Sequence, residues 1–174
     1  MAARRGDPMA TIDDLKEAFA GESQANRKYL AFAKKAEQDG FPQVARLFRA
    51  AAEAETVHAH AHLRVIGDVK DTASNLEAAV DGEGFEFMQM YPRFVKQAEK
   101  EALKPAITTF KNAMAVEEIH HDLYKEALKA VQAGRDLPAE KVSICPVCGY
   151  TVRGGIPDKC PVCGVDGKKF VEVK

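Results

Sequence analysis

The sequence predicts an all-α four-helix bundle followed by a small cysteine-rich domain with short β-strands. Residues 12–133 are rich in the helix formers Ala, Leu, Lys and Glu and contain no cysteine. All four cysteines of the 174-residue chain lie between positions 145 and 163, in a segment rich in Gly and Pro. That segment has too few large apolar residues to fold on a hydrophobic core alone, so it needs a staple such as a metal.

Three breaks divide the helical region. Asp39-Gly40-Phe41-Pro42 ends one helix and begins another, residues 67–74 are typical of a linker, and Lys104-Pro105 marks the third break. We expect Pro92 to kink the third helix or to follow a local irregularity in it. The expected helices are roughly 12–38, 42–66, 75–103 and 105–133. The expected domains are an N-terminal extension at 1–11, the helix bundle at 12–133, a linker at 134–142 and the tetra-cysteine domain at 143–174.

Composition and charge exclude several classes of partner. The chain has 25 Lys and Arg against 26 Asp and Glu, a net charge of -1, so no strong basic field indicates nucleic acid. No apolar run follows Arg4 and Arg5, and no segment approaches the length of a membrane span. We therefore expect a cytoplasmic protein with neither nucleic acid nor membrane as a partner.

Acidic side chains interrupt the apolar face of every predicted helix near its middle. An ionised carboxylate buried without a partner costs several kcal/mol or more, on the order of the desolvation penalty of one ion. The sequence supplies no matching Lys or Arg on those faces, whereas two cations would neutralise the carboxylates. The pattern therefore predicts a metal site, and the candidate ligands are Glu22, Glu55, His58, Glu83, Glu86, Glu117 and His120. Either Glu83 or Glu86 could instead be a surface residue of the third helix.

Two of these positions form the pattern Glu-x-x-His, at Glu55–His58 and at Glu117–His120. The i, i+3 spacing places both side chains on one face of a helix, within reach of one ion. A single pattern of this kind is usually a solvated helix face. Two of them on apolar stripes, with a central Glu on both other helices, match the di-iron carboxylate arrangement of helix bundles. Oxygen and imidazole ligands suit iron or manganese.

The remaining histidines and two tyrosines have weaker signals. His60 and His121 fall outside the stripe and are expected on the surface, and His62 is expected in the core or behind the ligands. Tyr29 and Tyr124 are expected in the core, where their hydroxyls would bond the ligand carboxylates.

The cysteines form two near-identical motifs, Cys145-Pro-Val-Cys148-Gly and Cys160-Pro-Val-Cys163-Gly. Paired Cys-x-x-Cys turns close a tetrahedral site of four thiolates, which suits zinc or a single iron. The pattern leaves that choice open. A structural zinc ribbon is the alternative to a redox-active iron centre.

The chain resembles the rubrerythrin family over essentially its whole length, because it carries the motifs of that family in the same order. They are Phe19-Ala-Gly-Glu22-Ser-Gln-Ala, the two Glu-x-x-His motifs, Gly82-Glu83-Gly84-Phe85-Glu86, Met90-Tyr91-Pro92 and Cys145-Pro-Val-Cys148-Gly-Tyr. The resemblance implies a ferritin-like bundle with a rubredoxin-like C-terminal domain. It also implies a peroxidase that reduces hydrogen peroxide to water, with electrons from NAD(P)H passing through a reductase and the rubredoxin-like iron centre.

The resemblance further implies a role for each residue. The ligands of two oxidised irons would be Glu22, Glu55, Glu83, Glu86, Glu117 and His120. His58 would replace Glu86 when one iron shifts on reduction. The ligands of a third iron would be Cys145, Cys148, Cys160 and Cys163, a site that also accepts zinc on heterologous expression. A ferroxidase or iron-handling protein, and a helical scaffold with a zinc ribbon, are the alternative functions.

The link between the second and third helices is short for a ferritin-like topology, in which these helices run parallel. The link must return over about 30 Å of helix, whereas residues 67–73 fully extended reach only about 26–29 Å. We therefore expect a homodimer in which helices 1 and 2 of one chain pack with helices 3 and 4 of the other. An up-down-up-down bundle within one chain would also relieve the strain.

Overall fold

The computed structural model describes residues 8–174; residues 1–7 of the expected N-terminal extension lie outside the described part. The helical region contains five α-helices and one π-helical turn, and the C-terminal part contains three short strands. The elements are α1 (Pro8–Gln38), α2 (Pro42–Ile66), α3 (Thr72–Phe85), the π turn (Glu86–Met90), α4 (Tyr91–Lys100), α5 (Lys104–Gln132), β1 (Val142–Ile144), β2 (Thr151–Arg153) and β3 (Val171–Val173). The predicted fold class, helices followed by a small β domain, is confirmed.

Helix boundaries follow from the local sequence. Pro42 and Pro105 lie in the first turns of α2 and α5, where a missing N–H costs nothing. Gly67 ends α2 in the left-handed conformation at φ 83° and its N–H donates to Leu63 O. Asp71 caps α3 by accepting from the Ser74 N–H at 3.0 Å. These two caps shorten the predicted linker to residues 67–71.

The predicted third helix is divided into α3, the π turn and α4. Pro92 has no N–H, and its ring would clash with the carbonyl four residues earlier in a regular helix. The π turn, in which the Tyr91 N–H donates to Glu86 O, adds one residue immediately upstream. The irregularity expected before Pro92 is thus confirmed.

Contacts divide the chain into two compact units, Met1–Lys70 and Asp71–Lys174. In the first unit α1 packs along α2, and the core between them consists of Ala33, Ala36 and Ala45 with Phe48 against it. Alanines let two helix backbones approach closely, so this pair has little large apolar volume inside it.

In the second unit α5 packs against α3, the π turn and α4, and β2 contacts α5. The three strands form an antiparallel sheet in the order β2-β1-β3, with Ser143 opposite Val152 and Glu172. Behind the sheet lies a small core of Cys145, Cys160 and Phe170. No described helix is both long enough and apolar enough to cross a membrane.

Candidate metal centres

The first unit brings three predicted ligands together. Glu22 of α1 and Glu55 and His58 of α2 offer ligand atoms that lie within 4.8 Å of one another. The His58 Nδ1 atom is 3.0 Å from Glu55 Oε2 and 3.9 Å from Glu22 Oε1. The i, i+3 spacing therefore places Glu55 and His58 side by side on α2, and the carboxylate of Glu22 on α1 completes the group.

Asn26, one turn after Glu22, fixes the two helices of this group against each other. Its amide Nδ2 donates to Ala52 O at 2.7 Å and to Thr56 Oγ1 at 2.8 Å. Thr56 directly follows Glu55, so the bond sets the rotation of α1 against the segment of α2 that carries the ligands.

The second unit repeats the arrangement. Glu83 of α3 and Glu117 and His120 of α5 also offer ligand atoms within 4.8 Å of one another. The His120 Nδ1 atom is 2.9 Å from Glu117 Oε2 and 3.9 Å from Glu83 Oε1. Burial raises the pKa of Glu83, and the charge of Glu117 raises it further, partly opposed by His120.

Glu86, the remaining predicted carboxylate, begins the π turn and is not part of the three-residue group. Burial raises its pKa, and the charge of Glu83 adds to the effect. π turns inside α-helices are frequent at functional sites. Here the turn sets the direction of Glu86 separately from that of Glu83.

Tyr91 is a site residue that sequence reasoning did not identify as functional. Burial raises the pKa of its phenol, and the carboxylates of Glu86, Glu117 and Glu83 raise it further, which places the ring beside the second group. Tyr124, expected in the core, is instead exposed. Tyr29 packs against the rings of Phe32 and Phe48, and its hydroxyl has no hydrogen-bond partner among residues 8–174.

The burial of the three remaining histidines agrees only in part with the prediction. His60 is exposed and His62 is half-buried, as expected. The prediction of a surface position for His121 is wrong. Its Nδ1 donates to Val80 O at 3.0 Å, and its ring lies 5.3 Å from that of Phe87. The hydrogen bond links α5 to α3.

The four cysteines form the third group, with all sulfurs within 4.8 Å of one another. The sulfurs of Cys145 and Cys163 are 3.6 Å apart, and those of Cys148 and Cys160 are 3.5 Å apart. Four sulfurs at about 2.3 Å from one central ion lie roughly 3.8 Å apart, so the spacing fits a tetrahedral site.

The two cysteine motifs fold into matching turns. Gly149 and Gly164 have φ values of 89° and 74°, where a side chain would strain the backbone, and each N–H donates to the carbonyl of the first cysteine of its motif at 2.9 Å. Burial opposes ionisation of Cys145, but N–H groups of Cys148 and Val147 lower its pKa to about 7. Burial raises the pKa of Cys148. The lowered pKa of Cys145 favours its thiolate, which is the form that binds a cation.

The tetra-cysteine domain is seated on α5 within the second unit. A Cβ atom on Gly149 would lie 3.7 Å from Val116, which is 2% exposed and directly precedes Glu117. Arg153 of β2 pairs with Glu126 of α5 at 2.7 Å and with Glu140 at 3.2 Å. The hydroxyl of Thr151 lies 2.9 Å from His120 Nε2.

The donor sets of the three groups fit iron. Ligand atoms at about 2.0–2.2 Å from an ion lie roughly 3–4 Å apart, in agreement with the His–Glu distances. Within residues 8–174 the ion pairs recorded for the four grouped carboxylates are all with His58 or His120, so no Lys or Arg neutralises them. Mixed oxygen and imidazole donors suit an iron pair, and four thiolates suit a single iron or zinc.

The raised pKa of Glu83 predicts opposite pH dependence for the metal-free and iron-loaded protein. A carboxyl with a raised folded-state pKa contributes stability below its unfolded value of 4.5, and this contribution is lost as pH rises through the folded value. Without metal, Glu83→Gln is expected to stabilise the fold increasingly relative to wild type as pH rises above 4.5. With iron, Glu83→Gln is expected to destabilise it, because metal binding requires the ionised carboxylate.

Urea unfolding of both proteins across this pH range, with and without iron, measures the effect. Taking the difference between variant and wild type cancels the titrating groups that do not interact with Glu83. A metal-free difference that shrinks as pH rises would contradict the assignment.

Comparison with known proteins identifies the family. The family model described as rubrerythrin matches residues 13–128, and that of the rubrerythrin rubredoxin-like domain matches residues 144–171. Rubrerythrin-2 of Clostridium acetobutylicum is 36% identical, over 92% of this chain and 95% of the relative. Nigerythrin of Nitratidesulfovibrio vulgaris is 35% identical, over 88% of this chain and 82% of the relative.

Solved structures agree with the sequence comparison. Nigerythrin in a partially reduced state and nigerythrin in a fully reduced, all-ferrous state each match with a TM-score of 0.57 and 31% identity. Each match covers 99% of this chain and 92% of the other. The helical carboxylate groups and the tetra-cysteine domain occur here in one chain and in the order of both family models, and the chain belongs to the rubrerythrin family.

Proposed function

We propose that this chain is a di-iron peroxidase of the cytoplasm that reduces hydrogen peroxide to water, with electrons supplied from NAD(P)H through a reductase and the tetra-cysteine iron. The observation that carries the proposal is the packing of the tetra-cysteine domain against α5, where Thr151 Oγ1 lies 2.9 Å from His120 Nε2. An electron carrier placed at a ligand group is useful to a redox enzyme and has no role in iron storage. The four free thiols suit a reducing compartment.

Reduction of one peroxide to two waters consumes two electrons and two protons. When bound, two ferrous irons supply the two electrons, and the tetra-cysteine iron restores them one at a time. The two protons come from solvent, because the proposed ligands Glu83 and Glu86 bind iron as ionised carboxylates.

The two histidines are held differently, which supports the proposed exchange of His58 for Glu86 on reduction. His120 has a partner at each ring nitrogen, Glu117 at Nδ1 and Thr151 at Nε2. His58 has carboxylate neighbours at Nδ1 only, and its side chain is 55% exposed. A histidine held on one side can change position at lower cost than one held on both.

We also propose that the complete di-iron site pairs the first unit of one chain with the second unit of another. The first unit holds two carboxylates and one histidine of the predicted set, and the second holds three carboxylates and one histidine. The link between α2 and α3 is five residues, 67–71, and reaches about 20–22 Å from Ile66 to Thr72. Returning along α2 from His58 and along α3 to Glu83 requires about 28 Å before any lateral travel. The link is therefore too short for parallel α2 and α3 in one bundle.

An exposed apolar stripe on α2 supports a partner at this position. Positions 44, 47, 51, 54, 58, 61 and 65 follow 3-4 spacing along one face and are Val, Leu, Ala, Ala, His, Ala and Val. Leu47 is 70% exposed and Val65 67% exposed, with His58 between them. A stripe of this kind with a ligand in the middle is expected to be covered by another helix pair.

The experiment uses anaerobically purified protein, its metal content and an NAD(P)H-linked peroxide assay with a rubredoxin reductase. We expect three irons per chain and peroxide-dependent NAD(P)H oxidation. A ferroxidase would instead oxidise added ferrous iron with O₂ and show no coupled turnover. A scaffold would contain zinc and catalyse neither reaction. Either result would overturn the peroxidase proposal.

A further inference from the structure

Thr151 connects the tetra-cysteine domain to the second ligand group through a hydrogen bond. Its hydroxyl lies 2.9 Å from His120 Nε2 and donates to Gly149 O at 3.1 Å. A carbonyl oxygen only accepts, so the single hydroxyl proton of Thr151 is used there. The oxygen of Thr151 therefore keeps a lone pair with which it can accept a hydrogen bond from an Nε2–H of His120.

An acceptor at Nε2 suits the form of His120 that binds a metal ion through Nδ1. A neutral imidazole carries one proton, and a proton at Nε2 leaves the lone pair at Nδ1. Nδ1 is the atom 2.9 Å from Glu117 and 3.9 Å from Glu83, so the lone pair is directed to the position where the ligand atoms converge. His58 in the first group has no recorded Nε2 partner among residues 8–174.

The surroundings hold Thr151 in place. Gly149, two residues earlier, lies against Val116 of α5, and Arg153, two residues later, pairs with Glu126 of α5. Both contacts lie on the same helix as His120, on either side of it along the chain. The contacts of Gly149 and Arg153 with α5 therefore hold the Thr151 hydroxyl in position between them.

We propose that Thr151 is a positioning residue: it accepts a hydrogen bond from Nε2–H of His120 in its iron-binding form and thereby couples iron binding at the helix site to the seating of the tetra-cysteine domain of the same chain. The inference rests on the proposed function only in requiring that His120 binds iron. Partners of this type orient metal-binding histidines, and their loss typically weakens metal affinity by about 10-fold to 100-fold.

The test compares Thr151→Val, which keeps the shape and removes the hydroxyl, with Thr151→Ser, which restores it. Thr108→Val is the matched control, because Thr108 is an exposed threonine of α5 whose hydroxyl only returns to Lys104 O of its own helix. Ferrous iron retention in the full chain is measured by competition with a chelator.

We expect Thr151→Val to lose helix-site iron about tenfold more readily than wild type. Thr151→Ser and Thr108→Val should retain iron as wild type does. Wild-type iron retention in Thr151→Val, or failure of Thr151→Ser to rescue, would overturn the inference. The measurement does not use peroxide, so a chain without peroxidase activity that still shows the Thr151→Val effect would sustain this inference while the proposed function fails.

Discussion

A heterodimer of two inactive variants, Glu55→Gln and Glu117→Gln, is expected to recover about half of the wild-type peroxidase activity. Glu55 belongs to the group of the first unit and Glu117 to that of the second. Each substitution removes one charged ligand, so each homodimer has only damaged sites. In the proposed exchanged dimer, one site of the heterodimer receives both damaged halves and the other receives two intact halves.

The heterodimer is obtained by co-expression with two different affinity tags and purification on both. Its activity and helix-site iron are compared with those of the two homodimers. If each site were formed within a single chain, every site would contain one damaged half, and the heterodimer would remain inactive. That result would defeat the exchange of helix pairs.

The matched control is a heterodimer of Glu22→Gln with Glu55→Gln. Both residues lie in the first unit, so an exchanged dimer places one damaged first unit in each of its sites. This heterodimer is expected to be inactive in every arrangement of chains. Activity in this control would show that a single Glu→Gln change is too mild and would require a larger substitution.

Several features were predictable because they depend on local pattern. The Gly40 and Pro42 break places α2 at its observed start, and the cysteine spacing alone indicates four converging sulfurs. The 3-4 spacing that placed Glu and His on apolar faces also describes both observed three-residue groups. These are consequences of helix geometry and turn chemistry within a few residues.

Other features depend on contacts between distant segments. The bond between Thr151 and His120 spans 31 positions and exists only because the domain is seated on α5. His121 falls off the apolar stripe, but a carbonyl of α3 lies within its reach, which periodicity does not show. The link at 67–71 is shorter than expected because α3 begins three residues early, at the Asp71 cap.

Cys145→Ser is expected to abolish NAD(P)H-linked peroxide turnover even when the helix site is kept full with excess ferrous iron. The four sulfurs converge on one position, so the loss of one removes a ligand that the other three cannot replace. The helix-site ligands lie on α1, α2, α3 and α5, none of which requires the cysteines for its own hydrogen bonds. Chemically reduced Cys145→Ser protein is therefore expected to consume peroxide once and then stop.

Loss of an iron ligand also destabilises the tetra-cysteine domain, because the metal holds that domain together. Cys145→Ser alone therefore does not distinguish a loss of electron transfer from a loss of folding. Wild-type protein carrying zinc at the four cysteines and iron at the helix site makes that separation. Zinc keeps the tetrahedral thiolate site closed but has no redox chemistry. We expect the zinc form to lose coupled turnover as completely as Cys145→Ser while retaining a folded domain. Full coupled turnover with zinc bound would show that electrons reach the helix site by a route that avoids the cysteines, and the relay role would fail with the helix-site chemistry intact.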